Sequence, residues 1–270
     1  MSRRDHYPAG VPCFVDTITR ELDPALRFYG AIFGWEFSGP GMMPDESPGG
    51  YFVARLHGEE VAGIGATPSA PDPAAWNTHV AVDSADDAAA RAVDAGGSIV
   101  LEPFDAPPAG RQAVIADPAG AAFCVWEAGV RRGATRINEP SAWAMSLLGT
   151  SDVPGAVRFY GELFGWRAEA FGDPDSSAGI WLFRLPGYVG GEPGQPVPRD
   201  VVAAMLATAE RPPAWSVDFW IADADAAAAH AAALGGSVVA APHEEPMFRR
   251  AVLAAPDGAT FSVSQLQPAG

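Results

Sequence analysis

The sequence predicts an α+β fold made of four β-α-β-β-β modules, grouped as two similar domains. Three observations predict it. The length of 270 residues suits two domains of ordinary size. The nonapeptide RFYGAIFGW at residues 27–35 returns as RFYGELFGW at residues 158–166, which is 131 positions later (158 − 27). Within each copy, helix-type and strand-type spacings of apolar residues alternate in the same order.

Two shorter repeats follow the nonapeptide in each copy. They are GGSIV at residues 96–100 with GGSVV at 235–239, and PAGAAF at 118–123 with PDGATF at 256–261. Their offsets of 139 (235 − 96) and 138 (256 − 118) exceed that of the nonapeptide, which indicates an insertion in the second copy. The many Pro and Gly residues at 187–213 place the insertion there. The predicted domains span residues 1–133 and 134–270, with modules at 11–66, 76–128, 141–192 and 214–267.

The first copy illustrates the order of elements within a domain. A strand at residues 11–16 precedes a helix that Asp23 caps, with Pro24 in the first turn and Gly34 at the end. The remaining elements follow in chain order: strands at 35–37, 51–56, 61–64 and 78–82, a helix at 85–95, and strands at 99–101, 113–116 and 123–126.

The charge of the chain excludes several functions. There are 33 acidic residues against 17 basic ones, all of the latter arginine, and the net charge is −16. Such a chain repels nucleic acids and anionic membrane surfaces, so neither is an expected partner. Without lysine there is no Schiff-base chemistry and no phosphate-loop lysine.

The termini and the cysteines indicate a cytoplasmic protein. The first ten residues, MSRRDHYPAG, carry two arginines but no apolar run behind them, and no segment has the roughly 20 apolar residues that span a bilayer. Cys13 and Cys124 are the two cysteines, too few for a disulfide framework or a four-thiolate zinc site.

The tandem β-α-β-β-β units, the FYxxxFGW motif, the GG after the second helix and the DPxG before the last strand resemble the vicinal oxygen chelate superfamily. That group includes glyoxalase I, extradiol dioxygenases and bleomycin-resistance proteins. The resemblance covers residues 11–126 and 143–266. It implies that paired modules form two open, cup-shaped glyoxalase/dioxygenase-like domains. Because one chain supplies both pairs, we expect a monomer.

The resemblance also implies where a divalent metal ion would bind in each cup. The corresponding positions are Phe14, His79 and Cys124 in the first cup and Met145, Asp218 and Ser262 in the second. One good ligand per cup is too few, since a catalytic ion normally needs about three protein groups. Glu60 is a further candidate beside His79 and Cys124. The resemblance allows a metal ion, but the ligand count favours no metal and no other cofactor.

Residues that alternate along these strands predict what else lines the cups. Asp16 shares a face with Phe14, and Trp126 and Trp220 share faces with Cys124 and Asp218. Trp76, Trp181 and Trp215 are further candidates for ligand contact. The ligand-binding residues expected are Phe14, Trp76, Cys124, Trp126, Met145, Trp181, Trp215, Trp220 and Ser262. Such aromatic surroundings suit a bulky, hydrophobic small molecule.

His79, Asp16 and Asp218 are the candidate catalytic residues, because each could exchange a proton. Three functions remain open. The first is metal-independent acid–base conversion of a hydrophobic or aromatic metabolite, such as cyclisation, ketal formation or isomerisation, in secondary metabolism. The second is drug binding and resistance without chemistry, so the sequence does not decide whether the protein is an enzyme. The third is a metal-dependent glyoxalase or dioxygenase.

Overall fold

A computed structural model describes residues 2–41, 49–172, 179–190, 197–208 and 211–267. A short strand at the N-terminus, β1 (Ser2–Arg3), pairs with β10 (Arg136–Ile137) in the linker between the two domains. The first domain contains, in chain order, β2 (Pro12–Thr19), α1 (Leu22–Phe33), β3 (Glu36–Gly41), β4 (Gly50–Leu56), β5 (Glu59–Ala66), β6 (Trp76–Val82), α2 (Ala85–Asp94), β7 (Ser98–Ala106), β8 (Gly110–Ala116) and β9 (Ala122–Ala128).

The second domain repeats this order. Its elements are β11 (Trp143–Thr150), α3 (Val153–Phe164), β12 (Arg167–Phe171), β13 (Ile180–Arg184), β14 (Val201–Ala207), β15 (Ala214–Trp220), α4 (Ala224–Ala233), β16 (Ser237–Glu245), β17 (Phe248–Ala254) and β18 (Thr260–Leu266). The predicted α+β class and the four modules are confirmed. No helix among the described residues is both long and apolar enough to cross a membrane.

Each domain contains one eight-stranded mixed sheet. The strand orders are β3-β4-β5-β2-β6-β9-β8-β7 and β12-β13-β14-β11-β15-β18-β17-β16. In each sheet two modules meet along an antiparallel pair of central strands, β2 with β6 and β11 with β15. We call the face that carries Phe14 and His79 the first cup, and the face that carries Met145 and Asp218 the second cup.

Two details of the sequence prediction need correction. Helix α1 begins at Leu22, so Asp23 lies in its first turn and is not the cap; Glu21 precedes the helix and makes no side-chain cap. At the matching position before α3, Asp152 accepts a hydrogen bond from the N–H of Gly155 at 2.9 Å. The side chain of Asp152 is shorter than that of Glu21, and its carboxylate accepts this hydrogen bond as an N-cap residue does.

The insertion in the second copy lies between β13 and β14, at residues 185–200. The predicted range of 187–213 therefore included a strand, because β14 pairs with β11 and β13. For the same reason the predicted third module, residues 141–192, stops short of its last strand. The inserted residues separate β14 from its hairpin partner β13, so the close spacing that joins β4 to β5 in the first copy is absent from the second copy.

The two domains share one aromatic core. Phe33 of α1 contacts Phe219 and Phe261 of the second sheet, at ring-centroid distances of 4.8 and 5.8 Å. Reciprocally, Phe164 of α3 contacts Phe123 of the first sheet at 5.9 Å. The helix of each domain thus packs against the sheet of the other, which buries large apolar surfaces and joins the halves.

The tryptophans of the repeated FGW motifs fix this arrangement with reciprocal hydrogen bonds. The indole N–H of Trp35 donates to the carbonyl oxygen of Ser141, and that of Trp166 donates to the carbonyl oxygen of Gly10, both at 2.7 Å. Each acceptor lies in the segment that precedes the first long strand of the other half. The N-terminal segment therefore packs against the second domain, and the linker packs against the first.

Candidate functional site

The register of three strands assembles the first cup. Phe14 of β2 pairs with His79 of β6, and His79 pairs with Cys124 of β9. Side chains that alternate with these positions point to the same face, which adds Asp16 and Trp126. All five side chains are buried. The structure thus brings together the residues predicted for this cup.

Asp16 is the centre of a buried polar network in the first cup. Its Oδ2 accepts a hydrogen bond from the hydroxyl of Tyr51 at 2.9 Å, and its Oδ1 accepts one from Nδ2 of Asn77 at 2.9 Å. Nε2 of His79 lies 3.1 Å from Oδ2. Burial acts to raise the pKa of Asp16, but the charge of His79 and the three hydrogen-bonding neighbours together hold it below its usual value.

His79 is poorly satisfied in spite of this contact. Among the described residues, neither ring nitrogen has an aligned hydrogen-bond partner, although Nε2 is close enough to Asp16 for an ion pair. The edge of the imidazole contacts Phe14 and Trp126, with centroids 5.9 and 6.1 Å away. A buried ring nitrogen without an aligned partner costs free energy.

Sequence reasoning missed Tyr51 and Asn77. Asn77 precedes His79 by two positions on the same strand, so alternation alone could have found it. Tyr51 depends on Gly63 of the neighbouring strand: a Cβ at that glycine would lie 1.9 Å from the tyrosine hydroxyl. The missing side chain at Gly63 gives Tyr51 room to reach Asp16.

The linker between the domains covers the first cup. The guanidinium of Arg131 lies 5.9 and 5.8 Å from the ring centroids of Phe14 and Tyr51, and its Nε is 3.1 Å from a carboxylate oxygen of Glu60. Trp126 donates its indole N–H to the carbonyl oxygen of Arg131 at 2.9 Å. Arg131 therefore lies against Phe14 and Tyr51, the aromatic neighbours of His79 and Asp16.

The donor groups of the cups do not suit a metal ion. In the first cup, Glu60 binds Arg55 at 2.9 Å as well as Arg131, and burial raises the pKa of the Cys124 thiol well above its usual value. In the second cup, Met145 and Ser262 supply no imidazole or carboxylate. No group of three or more His, Cys, Asp or Glu residues in the described part of the chain is arranged to hold an ion.

The second cup contains an open cavity of about 240 Å³. Met145 and Trp220, both predicted to contact ligand, line it together with Leu147, Leu182 and Ala204. Most of the wall is apolar, as in typical small-molecule sites. The cavity therefore has the character expected of a site for a hydrophobic ligand.

Asp218 is the carboxylic acid buried in this cavity. Its Oδ1 accepts a hydrogen bond from the hydroxyl of Ser264 at 2.8 Å, and Nε of Arg250 lies 3.7 Å away. Burial raises the pKa of Asp218, and the charge of Glu245 adds to this effect, although Arg250 and the serine hydroxyls oppose it. An acid with a raised pKa in an apolar cavity is suited to proton transfer.

Arg250 links the polar residues of the second cup. Its Nη2 donates to the hydroxyl of Ser262 at 2.9 Å, and Nη1 lies 3.7 Å from Glu245. Ser262 in turn donates to the carbonyl oxygen of Val217 at 3.3 Å. Sequence reasoning placed Ser262 at this cup but missed Arg250, which pairs with Ser264 across β17 and β18.

Three tryptophans predicted to contact ligand face away from the cups. The indole of Trp76 donates to the hydroxyl of Tyr29 at 3.1 Å, and that of Trp215 donates to the hydroxyl of Tyr160 at 2.9 Å, both within the shared core. Trp181 alternates with Ile180 and Leu182, which line the cavity, and so lies on the opposite face of β13. The predictions for these three residues are wrong, because each side chain lies on the face of its strand opposite the cup.

Catalytic candidates thus fall into two separate groups. His79 and Asp16 lie together in the covered first cup, whereas Asp218 lies in the open second cup. Trp143, which sequence reasoning did not consider, also lines the second cavity.

Comparison with known proteins matches the chain to a family model described as "Glyoxalase-like domain", over residues 13–126 and 144–264. The chain is 37% identical to CFP32 of Mycobacterium tuberculosis (strain CDC 1551 / Oshkosh), provisionally named a glyoxylase, over 100% of this chain and 99% of the relative. It is 31% identical to the anthracycline biosynthesis protein DnrV of Streptomyces peucetius, over 97% of this chain and 95% of the relative.

Solved structures show the same fold at low identity. The Mn(II)-bound glyoxalase from Novosphingobium aromaticivorans matches with a TM-score of 0.63 and 17% identity, over 99% of this chain and 84% of that one. The 2,3-dioxygenase LapB from Pseudomonas sp. KL28 matches with a TM-score of 0.64 and 13% identity, over 95% and 93%. At this identity the likeness shows the fold and not the reaction.

Proposed function

The chain belongs to the glyoxalase-like domain family, and from that premise we propose that its second cup binds a bulky hydrophobic or aromatic metabolite and converts it by proton transfer without a metal ion. The observation that carries the proposal is the apolar cavity of about 240 Å³ around Asp218, a buried acid with a raised pKa. The 31% identity to DnrV, named an anthracycline biosynthesis protein, supports a place in secondary metabolism and a polycyclic aromatic ligand.

The chemistry needs few groups. In its ionised form Asp218 accepts a proton from a carbon next to a carbonyl or from a hydroxyl of the substrate, and it then returns that proton to another atom. Arg250, with Nε 3.7 Å from the carboxylate, stabilises negative charge that develops on the substrate oxygen. An isomerisation or cyclisation of this kind leaves the oxidation level of the substrate unchanged, so it requires no oxidant.

His79 and Asp16 form a second candidate pair, in the first cup. The pair could exchange a proton, but the Arg131 guanidinium and the Glu60 carboxylate lie over the approach to it. We therefore assign the reaction to the second cup and assign His79 and Asp16 to the stability of the first domain. Substitution of each group separately distinguishes the two assignments.

The test uses tetracyclic anthracyclinones as substrates, with products followed by chromatography and binding by quenching of tryptophan fluorescence. We expect Asp218→Asn to bind the compounds and lose turnover, whereas His79→Gln and the exposed control Asp225→Asn keep it. Normal turnover by Asp218→Asn would reject the assigned role.

Two other outcomes identify the alternative functions. Saturable binding with the compound recovered unchanged at every protein concentration indicates sequestration, as in a resistance protein. Activity that EDTA abolishes and a divalent ion restores indicates a metal-dependent glyoxalase or dioxygenase.

A further inference from the structure

Three buried N–H groups in the wall of the second cavity have no acceptor among the described residues. One is Nε of Arg250, which lies 3.7 Å from Asp218, and the other two belong to Trp143 and Arg4. Trp143 is 4% exposed, and its indole nitrogen has no hydrogen-bond partner among the described residues. Nε of Arg4 is likewise buried without a partner in the described part of the chain. Both residues line the cavity that holds Asp218. A buried donor without an acceptor costs free energy, so the ligand is the natural partner for both.

Most of the eight tryptophans of the chain donate their indole N–H to a protein acceptor, unlike Trp143. The indole N–H groups of five of them donate to protein acceptors, at distances of 2.7 to 3.1 Å; these are Trp35, Trp76, Trp126, Trp166 and Trp215. The indole N–H groups of these five tryptophans are therefore satisfied by hydrogen bonds within the protein. Trp143 is a buried indole without such an acceptor among the described residues, and it lines the cavity, as Trp220 also does.

The charge around the cavity points to an acidic ligand. Three arginines line it, Arg4, Arg199 and Arg250, against two acidic residues, Asp218 and Glu245. This balance contrasts with the net charge of −16 for the whole chain. Arg250 contacts both acidic residues, whereas Arg4 forms no ion pair with any described carboxylate.

The segment that carries Arg4 is held by hydrogen bonds to the linker and to the second domain. The backbone N–H of Arg4 donates to the carbonyl oxygen of Thr135 at 2.9 Å, and the hydroxyl of Tyr7 donates to that of Ala134 at 2.7 Å. The carbonyl of Gly10 accepts the hydrogen bond from Trp166. The N-terminal segment of the first domain is thus a fixed wall of the second cavity.

We propose that the second cup selects aromatic ligands that carry a carboxylate, with Arg4 binding the anionic group and Trp143 donating to one of its oxygen atoms. The proposal rests on the proposed function, because it specifies which hydrophobic molecules that cavity accepts. Guanidinium and indole N–H groups are both suited to a carboxylate, and a pair of donors gives it a defined orientation.

The test compares anthraquinone-2-carboxylate with its neutral carboxamide by fluorescence titration. We expect the wild-type protein to bind the carboxylate about tenfold more tightly, with a preference that weakens at high ionic strength. Arg4→Gln should remove the preference and leave carboxamide binding unchanged. Arg3→Gln is the matched control, because Arg3 is exposed and pairs with Glu59 at 2.9 Å. Trp143→Phe should weaken the carboxylate more than the carboxamide.

The outcomes separate this proposal from the function on which it rests. Equal binding of the two probes, unaffected by Arg4→Gln, overturns the preference for an acid but leaves a hydrophobic site in place. Absence of saturable binding by either probe counts against the site itself. Thermal melting of Arg4→Gln and Trp143→Phe shows whether each variant is folded, and a Trp143→Phe variant that melts early is replaced by Arg4→Met as the second test.

Discussion

Replacing Tyr51 with phenylalanine removes one hydroxyl from the first cup and keeps the ring. That hydroxyl donates to Asp16 at 2.9 Å, and the carboxylate is only 5% exposed. A hydrogen bond to a charged group contributes about 1.5–3 kcal/mol. We therefore expect Tyr51→Phe to lower the free energy of unfolding by about 2 kcal/mol at pH 7.

The same variant should show a characteristic dependence on pH. A carboxyl group with a lowered pKa stabilises the folded state above its unfolded pKa, about 3.9 for Asp, and this stability is lost as the pH falls through the folded pKa. The Tyr51 hydroxyl is one of the groups that lower the pKa of Asp16. The difference between the variant and the wild type should therefore be largest at neutral pH and shrink below about pH 4.

The assay is urea denaturation at pH 7 and at pH 3.5, followed by tryptophan fluorescence. Tyr7→Phe is the matched control, because it also removes a buried hydroxyl, but one that donates to the carbonyl oxygen of Ala134 at 2.7 Å and not to a carboxylate. Its cost should not change with pH. A loss below about 0.5 kcal/mol for Tyr51→Phe at pH 7, or the same pH profile for both variants, would refute the reasoning.

Four further results are expected. Gly63→Ala should destabilise the protein in urea, because its Cβ meets the Tyr51 hydroxyl at 1.9 Å, and should cost much less in a Tyr51→Ala background; equal costs would contradict the clash. Phe261→Ala should cost about 3–5 kcal/mol in the same assay, because it removes a ring from the shared core; a cost below about 1 kcal/mol would be inconsistent with that packing. Asp218→Asn should raise the melting temperature at pH 8 relative to wild type, and this gain should fade at low pH. The sign follows because a carboxyl group with a raised pKa destabilises the folded state above that pKa. A lower melting temperature of the variant at pH 8 would contradict this reasoning. Dialysis against EDTA should leave the affinity for anthraquinone-2-carboxylate unchanged, whereas a loss that a divalent ion restores would show that a metal ion shapes the cavity.

The fold follows from local features of the sequence, and much of the site follows from alternation along strands. The repeated nonapeptides identified the two domains, and the positions of His79 and Asp218 placed both residues in cups. Alternation does not say which face of a central strand is the cup, because both faces of β6 and β15 are buried. Trp76 and Trp215 were assigned to the wrong face for this reason.

The contacts that distinguish the two cups could not be predicted because they join distant parts of the chain. Tyr51 reaches Asp16 only because residue 63 of another strand is glycine. Arg131 enters the first cup from the linker, and Arg4 reaches the second cup from the N-terminal segment. In each case the contact depends on which distant strand or segment lies beside the residue in the folded protein. A local sequence pattern does not contain that information.

The reciprocal hydrogen bonds of Trp35 and Trp166 join the two domains as equivalent bonds would join the two subunits of a symmetric dimer, but here both halves belong to one polypeptide. In a dimer of identical half-length chains, each substitution occurs twice, so both cups must have the same lining and must serve the same purpose. One continuous chain removes that restriction. Here one cup has become a closed polar centre with Arg131 over it, while the other has kept an apolar cavity with an acid inside. A substitution in the lining of one cup therefore leaves the lining of the other unchanged.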